Sequence, residues 1–111
     1  MSDRTVRWYE DACASVSFYP EDRALEYVLL GLAGEAGELR NKSKEVLRDD
    51  KCVLSRDKRL AMIDEAGDVM FYMARLAHEL GTDLDHIMRA NVDKLASRKR
   101  RGVLGGEGDR R

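Results

Sequence analysis

Gly34-Glu35-Ala36-Gly37-Glu38-Leu39 and its echo Asp64-Glu65-Ala66-Gly67-Asp68-Val69 set the reading of this chain. Each copy holds two acidic residues three apart within an apolar run, with Ala-Gly between them. On a helix, positions i and i+3 share a face, so each copy presents two carboxylates side by side. Two such helices packed together bring four carboxylates to one place, and these cannot all stay ionised without a cation. The pattern therefore points to a helical fold with a divalent metal site between two of its helices. Glycine in a helix interior costs roughly 1 kcal/mol against alanine, so Gly34, Gly37 and Gly67 suggest close helix approach or room for a ligand.

The flanking sequence carries the same period. Leu25, Val28, Leu29, Leu32, Ala36 and Leu39 follow the i, i+3, i+4, i+7 pattern, which predicts a helix from about Asp22 or Arg23 to about Arg48, with Asp22 as its cap. At about 100° per residue Glu35 and Glu38 fall about 60° apart and border the buried stripe. Residues 48–57 read as a loop. A third helix is expected from about Lys58 to Leu80, closed by Gly81, and it is apolar on more than one face. Tyr72 shares the face of Glu65 and Asp68. Before these lies a short helix from about Thr5 to Ser17, halted near Tyr19-Pro20 because the residue before a proline disfavours the helical region. After them, Thr82 or Asp83 caps a fourth helix from about Leu84 to Lys99, with Leu84, Ile87, Met88 and Leu95 inward and Asn91, Lys94 and Arg98 along one side.

Composition agrees with an all-α fold. In 111 residues there is one proline, 6% aromatic residues and no sustained β-type alternation. This length makes a single domain, read as a helical unit over residues 1–100 and a glycine-rich basic tail over 101–111. Lys and Arg number 20 against 21 for Asp and Glu, which makes nucleic acid an unlikely partner on bulk charge. Cys13 and Cys52 lie in no metal or redox spacing and are expected as reduced thiols. The N-terminal residues carry no apolar signal core, and no stretch is long enough to span a bilayer, so a cytoplasmic protein without membrane contact is expected.

The donor set narrows the metal. Carboxylate oxygens with no His or Cys suit Mg²⁺, with Mn²⁺ as a substitute, whereas a di-iron bundle would add Glu-x-x-His. His78 and His86 read as surface or packing residues. The cations Lys94, Arg98, Lys99, Arg100 and Arg101 match the helix dipole at a C-terminus, but beside a metal they also form the arrangement that holds a polyphosphate. Trp8 and Tyr72 are able to stack on a base, although core packing is the commoner fate of such residues.

These residues resemble the MazG-like, all-α nucleoside triphosphate pyrophosphohydrolases. The resemblance rests on Glu35-x-x-Glu38 and Glu65-x-x-Asp68, on the runs Leu30 to Leu39 and Asp64 to Tyr72, and on Asn91-x-x-Lys94-Leu95-x-x-Arg98, in that order and over most of the chain. The ending from Arg101 to Arg110 is similar to tails of short, phage-type members. What the resemblance implies is a four-helix fold assembled as a homodimer or homotetramer, with Mg²⁺-dependent cleavage of a (deoxy)nucleoside triphosphate to monophosphate and pyrophosphate. Glu35, Glu38, Glu65 and Asp68 would be the metal ligands and catalytic residues. Lys94 and Arg98 would bind phosphate, Asn91 and Tyr72 would lie near the sugar or metal-bound phosphate, and the tail, with Lys99, Arg100 and Arg110, would close over the triphosphate. No motif separates one base from another. Two rival readings remain at this stage: a nucleotide-binding regulator without turnover, and a helical module that binds nucleic acid or a partner through its basic end.

Overall fold

The computed structural model describes residues 5–108 and 111. Among them the chain forms four α-helices and one short 3-10 turn, with no strand. Helix α1 spans Val6–Ser15, α2 Ala24–Asp49, α3 Arg56–Glu79 and α4 Leu84–Arg101, and the 3-10 turn Glu21–Arg23 leads into α2. No helix is long and apolar enough to cross a membrane.

Side chains fix three of the four helix starts. Thr5 Oγ1 accepts from the Trp8 N–H at 3.2 Å and starts α1. The Ser55 hydroxyl accepts from the Lys58 N–H at 3.2 Å, so α3 begins two residues before the Lys58 expected from apolar spacing. Asp83, rather than Thr82, caps α4, accepting from the His86 N–H at 2.8 Å. Asp22 does not cap α2: it lies inside the 3-10 turn, and α2 has no side-chain cap. At the other end of α3, Gly81 adopts φ 74°, and the Gly81 and Thr82 amides return to the carbonyls of His78 and Ala77. That double bond satisfies the last carbonyls of the helix through a left-handed residue, the conformation glycine tolerates best. Gly102, at φ 72°, closes α4 in the same way, two residues beyond the expected end.

Helices α2 and α3 form a long antiparallel hairpin, tied near its tip by the ion pair of Lys58 with Glu45. Helix α1 packs on α3, and both meet the start of α4 around Cys13, Ala74, Ala77 and Leu84, with Val6, Tyr9, Phe71, Met73 and Ile87 against them. Glu10 Oε1 accepts from the Leu84 N–H at 2.6 Å, so α1 supplies a second acceptor to the first turn of α4. Beyond that turn α4 leaves the bundle and makes no approach to α2. Of its expected inner face, Leu84 is buried and Ile87 half-buried, but Met88 is 49% and Leu95 43% exposed, beside Val92 at 63%. Apolar residues of α3 are open too, at Leu60, Ile63 and Met70. The radius of gyration is 17.0 Å, where about 13 Å is usual for this length.

Candidate metal and nucleotide site

The hairpin turns its acidic repeats toward each other. Glu35 from α2 and Glu65 and Asp68 from α3 each offer a carboxylate oxygen, and these oxygens lie within 4.8 Å of one another. Glu38, one turn along α2, is exposed and stands outside this convergence. The four acids expected together are thus three plus one neighbour. Crowding leaves an electrostatic mark: the Glu35 carboxyl is pushed up to about 7, first by its hydrogen bond to Glu65, then by burial and by the charges of Glu65, Asp68 and Glu38. A site that holds on to a proton for want of positive charge is one that a cation fits. The donors are all carboxylate oxygens, which suits a hard divalent ion.

Tyr72 stands one turn beyond Asp68 with its ring laid against Gly31 of α2. A Cβ at Gly31 would sit 2.3 Å from Tyr72 Cε1, so this glycine is what lets the ring lie between the helices. Gly34, Gly37 and Gly67, expected as places of close approach or ligand room, have open space where a Cβ would project. They are not helix contacts, and the close approach is at Gly31. Burial raises the Tyr72 hydroxyl, and the neighbouring Tyr27, Glu35 and Asp68 add to the effect. Tyr9, which sequence reasoning missed as a neighbour of the site, donates from its hydroxyl to the Gly67 carbonyl at 3.4 Å. Its hydroxyl is pushed up to about 12, chiefly by burial, then by Cys13 and by the charge of Asp68. On α1, 58 positions before Gly67, this tyrosine carries no local signal that ties it to the acidic repeats. Trp8 is half exposed on α1.

The cations lie elsewhere. Asn91 and Lys94 are exposed on α4 and border a cavity with His86, Ile87, Met88 and Ala90, a lining that includes none of the four acids. Lys99 and Arg100 are exposed near the end of that helix. Arg98 is buried, and its Nε–H donates to the Arg111 main-chain oxygen at 3.4 Å, an acceptor shared with Arg101 Nη2 at 3.1 Å. Arg110 falls outside the described residues. Within one chain, then, the acids and Tyr72 come together, and the α4 polar residues do not join them.

Comparison with known proteins shows a family for the chain. A family model described as the MazG nucleotide pyrophosphohydrolase domain matches residues 23–103, a span that takes in both acidic repeats and all of α4. The chain is also similar to the Gene 37 protein of Mycobacterium phage L5, at 42% identity over 109 residues, covering 93% of this chain and 96% of that one. No solved structure matches.

Proposed function

Because the chain belongs to the MazG nucleotide pyrophosphohydrolase domain family, we propose that it hydrolyses (deoxy)nucleoside triphosphates between the α and β phosphates in a Mg²⁺-dependent reaction, releasing monophosphate and pyrophosphate. The observation that carries this reading is the convergence of Glu35, Glu65 and Asp68 between two helices. These three would hold the ion, with Glu38 completing the set from the next turn of α2. When bound, Mg²⁺ supplies positive charge to phosphate oxygens and lowers the pKa of a nearby water. The remaining work falls to the chain's own groups. A glutamate carboxylate of the cluster accepts the water's proton, and Tyr72 supports the sugar beside the acids.

Phosphate contacts fall to Asn91, Lys94, Arg98 and Lys99, with the tail after Arg101 closing over the triphosphate. Since α4 does not reach α2 within one chain, these contacts belong to a homodimer or homotetramer in which α4 of one copy meets the hairpin of another. The surface supports such an assembly. The accessible area is 8634 Å², against roughly 6,200 Å² for a compact monomer of this mass, and an excess of that order is what a permanent interface buries. The free thiols of Cys13 and Cys52 suit a reducing, cytoplasmic setting.

The deciding experiment is a panel of canonical nucleotides incubated with purified protein and Mg²⁺, with products identified. Monophosphate and pyrophosphate are expected from at least one nucleotide. Asp68→Ala should lower that turnover by about 100-fold or more, in line with loss of a group that holds a catalytic ion, while circular dichroism stays helical. Background turnover across the whole panel would refute the reading.

A further inference from the structure

The acidic cluster is one end of a longer polar stripe. Glu65, Asp68, Tyr72, Arg75 and Glu79 recur at alternating steps of three and four, so all five lie along one face of α3. Arg75 and Glu79 reach a cavity of about 390 Å³ between the end of α1, the start of α2 and the last turns of α3. Arg75 is only 9% exposed, yet among the described residues the one hydrogen bond of its guanidinium is from Nε–H to the Tyr19 hydroxyl, at 3.1 Å. That hydroxyl in turn donates to Glu79 Oε2 at 2.9 Å. A single tyrosine therefore fixes both charged groups, and the guanidinium also lies over its ring, 5.8 Å from the centroid. Tyr19 is itself held by stacking on Tyr27, with centroids 5.3 Å apart and planes 19° from parallel. Tyr27 adjoins Tyr72, which adjoins Glu35, so the cavity is connected to the acids by a row of phenol rings.

This much ordering of a buried guanidinium and a carboxylate is more than a surface ion pair needs. The cavity has the volume of a small-ligand site, and its lining is mostly polar, with Glu21 and His78 beside Arg75 and Glu79 and with Ala14 and Ala24 as its apolar residues. From Asp68 to Arg75 the helix rises about 10 Å, a distance comparable to that from the α-phosphate of a nucleotide to the far edge of its base. We infer that this cavity receives the base of the triphosphate, with Arg75 and Glu79 as the residues that select it. The inference rests on the proposed pyrophosphohydrolase reading for the position of the phosphates.

The chemistry of the pair narrows the base. With Nε committed to Tyr19, the terminal amino groups of Arg75 form a fork for two adjacent acceptors, and Glu79 Oε1 accepts from a neighbouring donor. Cytosine offers O2 and N3 beside its amino group, and guanine offers N7 and O6 beside N1–H. Adenine has no two adjacent acceptors on one edge, and thymine and uracil place their donor between two acceptors. The shared feature is a pair of adjacent acceptors flanked by a donor, which favours cytosine or guanine nucleotides.

The test compares the four dNTPs on the native protein, on Glu79→Gln, which keeps an acceptor for Tyr19 but changes the second oxygen, and on Arg75→Lys. The expected result is a kcat/KM for dCTP or dGTP at least about tenfold above dTTP and dATP, a ranking that Glu79→Gln narrows to within about threefold. Whichever of the two is preferred identifies the base. A ranking identical in the native protein and Glu79→Gln, with unchanged helicity and melting temperature, overturns the inference; should Arg75→Lys not fold, Glu79→Gln alone decides. If the native protein hydrolyses none of them, it is the pyrophosphohydrolase reading that fails, and calorimetry with dCMP, dGMP, dTMP and dAMP decides the cavity. Binding that favours dCMP or dGMP and is weakened by Glu79→Gln sustains it, and binding that is absent or indifferent to the base rules it out.

Discussion

A methyl group added at Gly31 would enter the Tyr72 ring rather than the tip of a flexible chain. Gly31→Ala is therefore expected to force the ring off its seat and to lower stability by about 1–3 kcal/mol, the usual range for overpacking, as read from urea denaturation. Glu35 gives a pH test. Its carboxyl is raised from 4.5 to about 7 in the folded, metal-free protein, so folding favours the protonated form. That contribution is complete below the unfolded pKa and is lost as pH rises through about 7. Metal-free protein should melt at a higher temperature at pH 5 than at pH 8, and Glu35→Gln, which cannot ionise, should narrow the gap. Equal gaps in both proteins would show that Glu35 is not the source. The spacing of the acidic repeats makes legible which carboxylates share a helix face. It does not reveal that α2 is rotated to aim Glu35 at α3 and leave Glu38 outward, because rotation is set by packing between helices. Nor does it expose Gly31, whose role depends on a ring forty-one positions away.

At the scale of elements, the helices are legible because apolar residues recur with a helical period through all of them. Their ends are less so. The apolar pattern of α3 begins after Lys58, whereas its start is decided by a hydroxyl three residues earlier. Ser55→Ala removes that cap and should cost about 1 kcal/mol, measured as a shift in the midpoint of chemical unfolding with the far-ultraviolet spectrum preserved. A loss below a few tenths would mean that Asp57, in the first turn, carries the terminus instead. Arg75 and Glu79 illustrate the opposite limit. As an Arg-x-x-x-Glu pair they look like any solvated pair on a charged helix, and only the return of Tyr19 from the segment before Pro20 makes them a site.

For the whole molecule, the apolar side of α4 matters most. Val92 and Leu95 are exposed in the single chain, and a proposed second copy is what would cover them. Light scattering should find a dimer or tetramer, and Val92→Glu with Leu95→Glu should shift it toward monomer while keeping the helices. If assembly brings α4 over the acids, that variant should also lose turnover. A double variant that stays assembled would place the interface elsewhere. The sequence makes this apolar stripe visible but not its fate, since a stripe of this width serves equally well inside a bundle or between two copies.

The bond from Glu10 to the Leu84 amide joins residues 74 apart, and it sets an order of events during synthesis. At about 5–20 residues per second, a ribosome needs roughly 4–15 s to travel between its two ends. Helix α1 emerges first and has no α4 to close against for that whole interval, while the α2–α3 hairpin, whose halves are neighbours in the chain, is able to form as it appears. The closure of α1 on α4 is thus a later event than the pairing of α2 with α3.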